Sequence, residues 1–168
     1  MLTPTKKAGV RASISEYCLK AEKYRLKWHY TKQRPFHGYM VDPSLTHNND
    51  CSGYVSLAFN WAMHKNGIYL HDPLDEHYTG QGYTGTEYAY LKQHSAPVDK
   101  YLIGDMAIFG TPSRTVHTSI CRKAGTRSTA IFSSNGHESW DPAHDAPNPT
   151  TLAGDSRLLG VYRHPGLL

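Results

Sequence analysis

The run DCSGYVSLAFNWAMHK occupies residues 50–65. Apolar side chains recur in it at helical spacing, and Asn66-Gly67 follows as a stop signal. The apolar stripe consists of Val55, Leu57, Ala58, Trp61 and Ala62. This pattern predicts a buried helix that begins at Cys51 and ends at about Lys65.

Cys51 stands in the first turn of that helix, after Asp50 and before the small residues Ser52 and Gly53. A thiol there lies in the field of the helix dipole and close to unpaired N–H groups, which favours the thiolate. The same amides can hold an oxyanion during acyl transfer. Position alone leaves two interpretations open, a nucleophile or a buried structural cysteine, and Cys18 and Cys121 in their apolar stripes fit the second.

A cysteine nucleophile needs an imidazole base, and the chain has 11 histidines. His117 is the preferred candidate because it begins a predicted strand, which would fix its rotamer. A half-exposed strand histidine is the alternative. No HxxxH or HExxH pattern occurs, so we do not expect a zinc site. Acyl transfer by a cysteine and an imidazole needs no metal or organic cofactor.

The base in turn needs a group that orients its second nitrogen. The next predicted strand ends in Ser134, Asn135 and His137, and any of them could reach the imidazole across a regular hairpin. Asn135 precedes Gly136, so a plain turn residue is the other interpretation.

Outward from these residues, the pattern predicts an α+β fold. A helix is expected from Ser13, with Glu16 completing a capping box, to about His29, and a short helix from Thr86. Residues 31–49 and 136–153 read as loops. Strands are expected at 105–110, 116–122, 128–134 and 158–164, of which the first three form two hairpins. The helical part covers about 13–97 and the sheet part about 98–168.

Composition limits the classes of function. A chain of 168 residues holds one core, so a single domain over 1–168 is expected. The net charge of +4 favours anionic partners, but no basic and aromatic platform indicates nucleic acid. No apolar run is long enough to insert into a membrane, and no signal peptide is visible. The three cysteines are too dispersed for a disulfide framework.

Three motifs in order resemble the NlpC-type papain-like cell-wall cysteine peptidases: DCSGYV at 50–55, GDMAIFG at 104–110 and His117. The resemblance covers about residues 48–137. A closer resemblance is to peptidase domains of actinobacteriophage endolysins and virion lysins, carried by HYT at 29–31, GYTGT at 82–86 and SNGHE at 134–138.

The resemblance implies a papain-like fold, with the nucleophile at the start of a core helix packed on an antiparallel sheet. By the same resemblance Cys51 is the nucleophile, His117 is the general base, and Asn135 stands where the family often has histidine, with His137 as the alternative third residue. Tyr30, or alternatively Tyr39, corresponds to a tyrosine that lines the site. The remaining site-lining and substrate-binding candidates are Asp50, Ser52, Tyr83 and Thr84.

The implied activity is hydrolysis of a stem-peptide amide in bacterial peptidoglycan, as a D-isoglutamyl endopeptidase. The alternatives are an N-acetylmuramoyl-L-alanine amidase, a transglutaminase-like acyl transferase, or a non-catalytic wall-binding or virion module. A monomer is expected. It would stay in the host cytoplasm until lysis or travel on the virion, so that a phage virion or a holin would give it access to the wall.

Overall fold

The computed structural model describes residues 2–33, 42–69, 82–136 and 147–168. The helices in these ranges are α1 (Pro4–Lys23), α2 (Cys51–Lys65) and α3 (Thr84–His94). The strands are β1 (Trp28–Tyr30), β2 (His47–Asn49), β3 (Met106–Thr111), β4 (Arg114–Lys123), β5 (Ile131–Asn135), β6 (Pro147–Thr150) and β7 (Leu158–Tyr162). Helices precede an antiparallel sheet, so the predicted α+β class is confirmed.

The five-stranded sheet has the order β6-β5-β4-β3-β7 with antiparallel neighbours throughout. Both predicted hairpins, β3–β4 and β4–β5, are present. Side chains alternate between two faces along β3: Met106 and Ile108 join the core formed with the helices, whereas Ala107 and Phe109 join a second cluster on the other face. The helices therefore cover one side of the sheet.

Helix α2 has the predicted bounds because its signals are local. The Asp50 carboxylate caps it by accepting a hydrogen bond from Gly53 N at 3.0 Å, and Asn66 is its C-cap. Tyr54 on this helix hydrogen-bonds Ser133 of β5 through the two hydroxyl oxygens at 2.9 Å. This bond fixes the start of α2 against the sheet.

The predicted bounds of the first helix are wrong. Helix α1 starts at Pro4, where Thr3 Oγ1 accepts from Lys6 N at 3.3 Å and proline occupies the first turn. Ser13 is instead buried within α1 and accepts a hydrogen bond from the Asn66 side chain at 3.0 Å. The helix ends at Lys23.

Trp28 and His29, predicted to be helical, belong to β1, which pairs in parallel with β2. The Trp28 ring stacks on His47 with ring centroids 4.0 Å apart and packs against Tyr54 at 5.2 Å. These tertiary contacts override the helical periodicity. Strand β2 also lies inside the segment predicted as a loop.

Further bounds differ from the prediction, and strand β5 begins at Ile131 rather than at Ser128. Helix α3 begins at Thr84, because Thr86 Oγ1 accepts a hydrogen bond from Tyr83 N at 3.1 Å and so belongs to the first turn. Strand β6 lies within the predicted loop 136–153 and contains Pro147 and Pro149. Proline is tolerated there because β6 is an edge strand of the sheet.

The GD motif at 104–105 has a structural role. Asp105 is fully buried and forms a two-pronged ion pair with Arg163, each N–O distance being 2.8 Å. Its carboxylate also accepts from Leu102 N at 2.7 Å. Arg11 of α1 donates to the backbone carbonyls of Ile103 and Leu167, so the first helix is tied to the same corner of the sheet.

None of the helices in the described ranges has the length and apolar character needed to cross a lipid bilayer.

Candidate active site

A cavity of about 160 Å³ opens where α2 and α3 begin and where β4 leaves its hairpin turn. Six residues singled out from the sequence line it: Tyr30, Asp50, Cys51, Ser52, Tyr83 and Thr84. Four others complete the wall: Lys32, Arg114, Thr115 and Val116. Residues that are distant in sequence thus meet around one thiol.

Cys51 is the first residue of α2 and only 5% exposed. Its Sγ lies 3.7 Å from Oγ1 of Thr84, the first residue of α3, and the backbone amide of Thr118 donates a hydrogen bond to it. Burial raises the pKa of the thiol to about 12, and the carboxylate of Asp50 acts in the same direction. The helix dipole was expected to favour the thiolate, but in this closed site the cost of desolvation is larger.

The backbone at the start of α2 supplies N–H groups beside the thiol. The side chain of Asp50 satisfies Gly53 N, and the carbonyl of Asp50 accepts from Tyr54 N at 2.9 Å. The amide of Cys51 precedes these and has no acceptor within the helix. It can therefore donate to an oxygen atom held next to Sγ.

His117 lies beside the cavity, in the interior of β4. Its neighbour Val116 lines the cavity, and its other neighbour Thr118 hydrogen-bonds the thiol. The imidazole itself is buried and packs on Phe109, with ring centroids 5.5 Å apart. Phe109 belongs to the face of the sheet that points away from α2.

A bulge separates His117 from the hairpin turn. Phe109 pairs with His117, whereas Gly110 pairs with Thr115, so Val116 is the extra residue of β4. Bulges of this kind occur next to active sites, where they change the direction of a side chain. Gly110 has φ of +142°, and a Cβ there would lie 2.2 Å from the Arg114 carbonyl oxygen, so the bulge requires glycine.

Asn135 is fully buried at the end of β5. Its Nδ2 donates to the backbone oxygen of Asn49 at 2.8 Å and to Asn49 Oδ1 at 3.0 Å. Asn49 is the last residue of β2 and directly precedes Asp50-Cys51. The Oδ1 atom of Asn135 has no hydrogen-bond partner within the described part of the chain.

Tyr30 is also held in place by contacts with Asn49. Strand β1 pairs Tyr30 with Asn49, and Thr31 N donates to the Asn49 carbonyl at 3.1 Å. The Tyr30 ring lies against the backbone of Gly136, where a Cβ would approach ring carbon Cε2 to 2.5 Å. Gly136 also has φ of +84°, so two independent constraints require glycine beside the ring.

Two sequence candidates, His137 and Tyr39, lie outside the described residues. Sequence reasoning missed Asn49 and the basic wall residues Lys32 and Arg114. Asn49 could have been found as the residue that precedes the DCSG motif, and Lys32 from its position two residues after Tyr30. Within the described ranges, no group of three or more His, Cys, Asp or Glu is arranged to hold a metal ion.

The chain resembles solved peptidoglycan hydrolases in fold. A superposition on the peptidoglycan hydrolase RipB from Mycobacterium tuberculosis covers 97% of this chain and 72% of that chain, with a TM-score of 0.50 and 18% sequence identity. A superposition on the NlpC/p60 domain of the peptidoglycan hydrolase SagA covers 90% of this chain and 97% of that chain, with a TM-score of 0.49 and 16% identity.

No protein-family model matches the chain, and no curated protein matches it in sequence. At 18% identity, the likeness to RipB establishes a shared fold. The predicted arrangement, a core helix that begins with the cysteine and packs on an antiparallel sheet, is confirmed.

Proposed function

We propose that this chain is a peptidoglycan hydrolase that cleaves an amide bond of the wall stem peptide through a cysteine acyl-enzyme. The observation that carries the proposal is the position of Cys51: its thiol borders a cavity at the start of a capped helix, next to an N–H group that can receive an oxyanion. The fold shared with a peptidoglycan hydrolase supports the choice of substrate.

The resting thiol is protonated at neutral pH, so the mechanism needs a base at the moment of attack. In the proposal His117 accepts the Cys51 proton as Sγ bonds to the amide carbonyl carbon, and the amide of Cys51 donates to the resulting oxyanion. His117 then gives that proton to the leaving nitrogen as the C–N bond breaks. Water attacks the thioester with His117 as base, the C–S bond breaks, and the thiol is restored.

The Val116 bulge and the contact of Thr118 with the thiol support this role, because they place His117 beside the cavity. Asn135 would orient the ring. Its buried Oδ1 is an acceptor suited to an imidazole N–H, and its Nδ2 is already committed to Asn49. His137 stays the alternative for this role.

The bond proposed for cleavage is the one that follows D-isoglutamate. The muramoyl-alanine amide is the second candidate bond, because a thiol and an imidazole attack any amide carbonyl by the same chemistry. The resemblance of HYT, GYTGT and SNGHE to phage lysins supports a lysin that a virion or a holin brings to the wall.

The test is the release of new amino groups from purified peptidoglycan, with fragments identified by mass. We expect activity in the wild type and in Cys121→Ala, which removes a buried thiol from the sheet without touching the cavity. Activity should be lost in Cys51→Ala and reduced at least 100-fold in His117→Ala, as is usual for a general base. A wild type that binds several wall types but cleaves none would indicate a binding module.

A further inference from the structure

The turn between α1 and β1, residues 23–27, presents its side chains to solvent from a backbone that is held on both sides. Ala21 before the turn and Trp28 after it are both buried in the core. Between them Lys27 N donates a hydrogen bond to the Tyr24 carbonyl at 2.9 Å and closes a short 3₁₀ helix. Residues 23–27, called the tip segment below, therefore form a fixed projection of the surface.

The tip segment carries an apolar side chain that the fold leaves in water. Leu26 is 89% exposed, more than any other large apolar side chain in the described ranges. Moving such a side chain into an apolar phase is favourable. Its neighbour Tyr24 is half-buried, and tyrosine is enriched at the level of lipid headgroups, where one end of the ring is in an apolar environment and the other in water.

Three exposed cations, Lys23, Arg25 and Lys27, flank this leucine. The ammonium groups of Lys23 and Lys27 each lie 5.4 Å from the centroid of the Tyr24 ring, a cation–π contact that keeps both charges close to the tip. Within the part of the chain that the structure describes, none of the three cations forms an ion pair with an acidic side chain.

The acidic side chains that meet the last two turns of α1 are matched by other cations. Glu22 forms an ion pair with Arg122 at 2.8 Å, in which both side chains are only 14% exposed. Asp42 forms an ion pair with Lys20 at 2.6 Å. Neither carboxylate offsets the charge of the tip segment, which is therefore complementary to an anionic surface.

We infer that the tip segment binds the surface of a lipid bilayer that contains anionic phospholipids. Its cations meet the headgroup phosphates, Tyr24 lies at their level, and Leu26 enters the boundary with the acyl chains. A soluble polyanion satisfies the cations but gives Leu26 no apolar phase, so the leucine favours a bilayer. Contact of this kind lies on the membrane without crossing it, and it does not depend on the proposed hydrolysis.

The test is co-sedimentation of the full chain with vesicles at about 0.15 M salt. We expect binding to vesicles of equal parts phosphatidylglycerol and phosphatidylcholine, and binding weaker by roughly tenfold or more to phosphatidylcholine alone. Arg25→Gln should weaken binding to the anionic vesicles about fivefold, and the triple variant Lys23→Gln, Arg25→Gln, Lys27→Gln about a hundredfold. Lys6→Gln is the matched control, because it removes one exposed charge at the start of α1.

The apolar contribution is tested by Leu26→Ser, which changes no charge and should weaken binding about fivefold. Leu168→Ser is its control, since Leu168 is 52% exposed and follows Leu167, whose carbonyl accepts a hydrogen bond from Arg11. At 1.5 Å per residue, Arg11 lies about 18 Å along α1 from Lys23. Leu168→Ser should therefore bind vesicles as the wild type does.

Four outcomes would overturn the inference: no binding of the wild type to anionic vesicles, equal binding to neutral ones, equal losses in Arg25→Gln and Lys6→Gln, or equal losses in Leu26→Ser and Leu168→Ser. If Leu26→Ser binds as the wild type does while the triple variant does not, the tip segment is a site for polyanions and not for a bilayer.

Peptidoglycan hydrolysis is measured on the same proteins, and Leu26→Ser should keep the wild-type rate. A wild type that binds anionic vesicles through the tip segment but cleaves no peptidoglycan supports this inference and removes the proposed hydrolysis. Cleavage without vesicle binding does the reverse.

Discussion

Cys51 has a protonated thiol at neutral pH, because burial and the Asp50 carboxylate raise its pKa to about 12. We therefore predict slow alkylation by iodoacetamide at pH 7, with a rate that rises about tenfold per pH unit up to at least pH 10. The rate is measured by mass spectrometry of the Cys51 peptide, and the Cys18 and Cys121 peptides serve as internal references. A plateau at or below pH 9 would show that the thiol is not desolvated in solution.

Gly136 supports Tyr30 through a contact that no other residue can make. In Gly136→Ala the new methyl group would lie 2.5 Å from the Tyr30 ring, at a φ of +84° that alanine adopts only with strain. We predict a loss of about 1–2 kcal/mol in the free energy of unfolding, from backbone strain, and a weaker site because the ring is displaced. Urea denaturation measures the first effect.

Gly154→Ala is the matched control for Gly136→Ala. It has a similar φ of +77°, and no heavy atom lies within 4 Å of its Cβ position. It should show the strain without the displaced tyrosine. If both variants have the same activity on peptidoglycan, the contact with Tyr30 does not matter for the site.

At the scale of elements, the start of α2 depends on one side chain. Asp50→Ala removes the cap on Gly53 N, and we expect it to lower the free energy of unfolding by about 0.5–2 kcal/mol. Asp50→Asn keeps a capping oxygen but removes the charge that raises the pKa of Cys51. It should be nearly as stable as the wild type yet alkylate faster at pH 8. Equal alkylation rates in Asp50→Asn and the wild type would contradict the electrostatic effect.

Helix α2 could be predicted to the residue because its cap, its apolar stripe and its stop signal all lie within 50–67. Strands β1, β2 and β6 could not, because each has only three or four residues and depends on its neighbours. The stacking of Trp28 on His47 and the edge position of Pro147–Thr150 are properties of the assembled fold. No local sequence pattern predicts them.

The site, too, has residues that could be predicted from local sequence and others that could not. Cys51, Tyr30, Tyr83 and Thr84 were found through motifs, and they line one cavity. Arg114 was missed because it stands in a turn-flanking position with no periodicity, and it lines the same cavity as Cys51 only because β4 packs against α2. The pKa of the thiol could not be predicted either, since burial is set by the whole core.

For the whole molecule, buried acidic groups predict a loss of stability at high pH. Burial raises the pKa of Cys18, Cys51 and Cys121 to about 12, against about 8.5 in an unfolded chain. Between these values the unfolded state holds fewer protons than the folded state, so the free energy of unfolding falls as pH rises. The stabilising contribution is complete below about pH 8.5 and disappears towards pH 12.

We predict that the urea midpoint falls continuously from pH 8.5 to pH 10.5. The free energy of unfolding should fall by about 1.4 kcal/mol per pH unit for each thiol that has ionised in the unfolded chain. Cys121→Ala should have a shallower slope than the wild type over this range, whatever its stability at pH 7. A midpoint that does not change up to pH 10.5 would show that the three thiols are solvated in the native state.

The closed setting of Cys51 also determines how the protein withstands oxidants. Hydrogen peroxide attacks a thiolate, and a buried neutral thiol offers almost none, so sulfenic acid should form slowly while the cavity is empty. In the proposed mechanism, Cys51 gains its charge only when a substrate and a base approach it, so the thiol is protected in the absence of substrate. The same desolvation that makes the thiol a weak nucleophile in the resting site therefore preserves it for use.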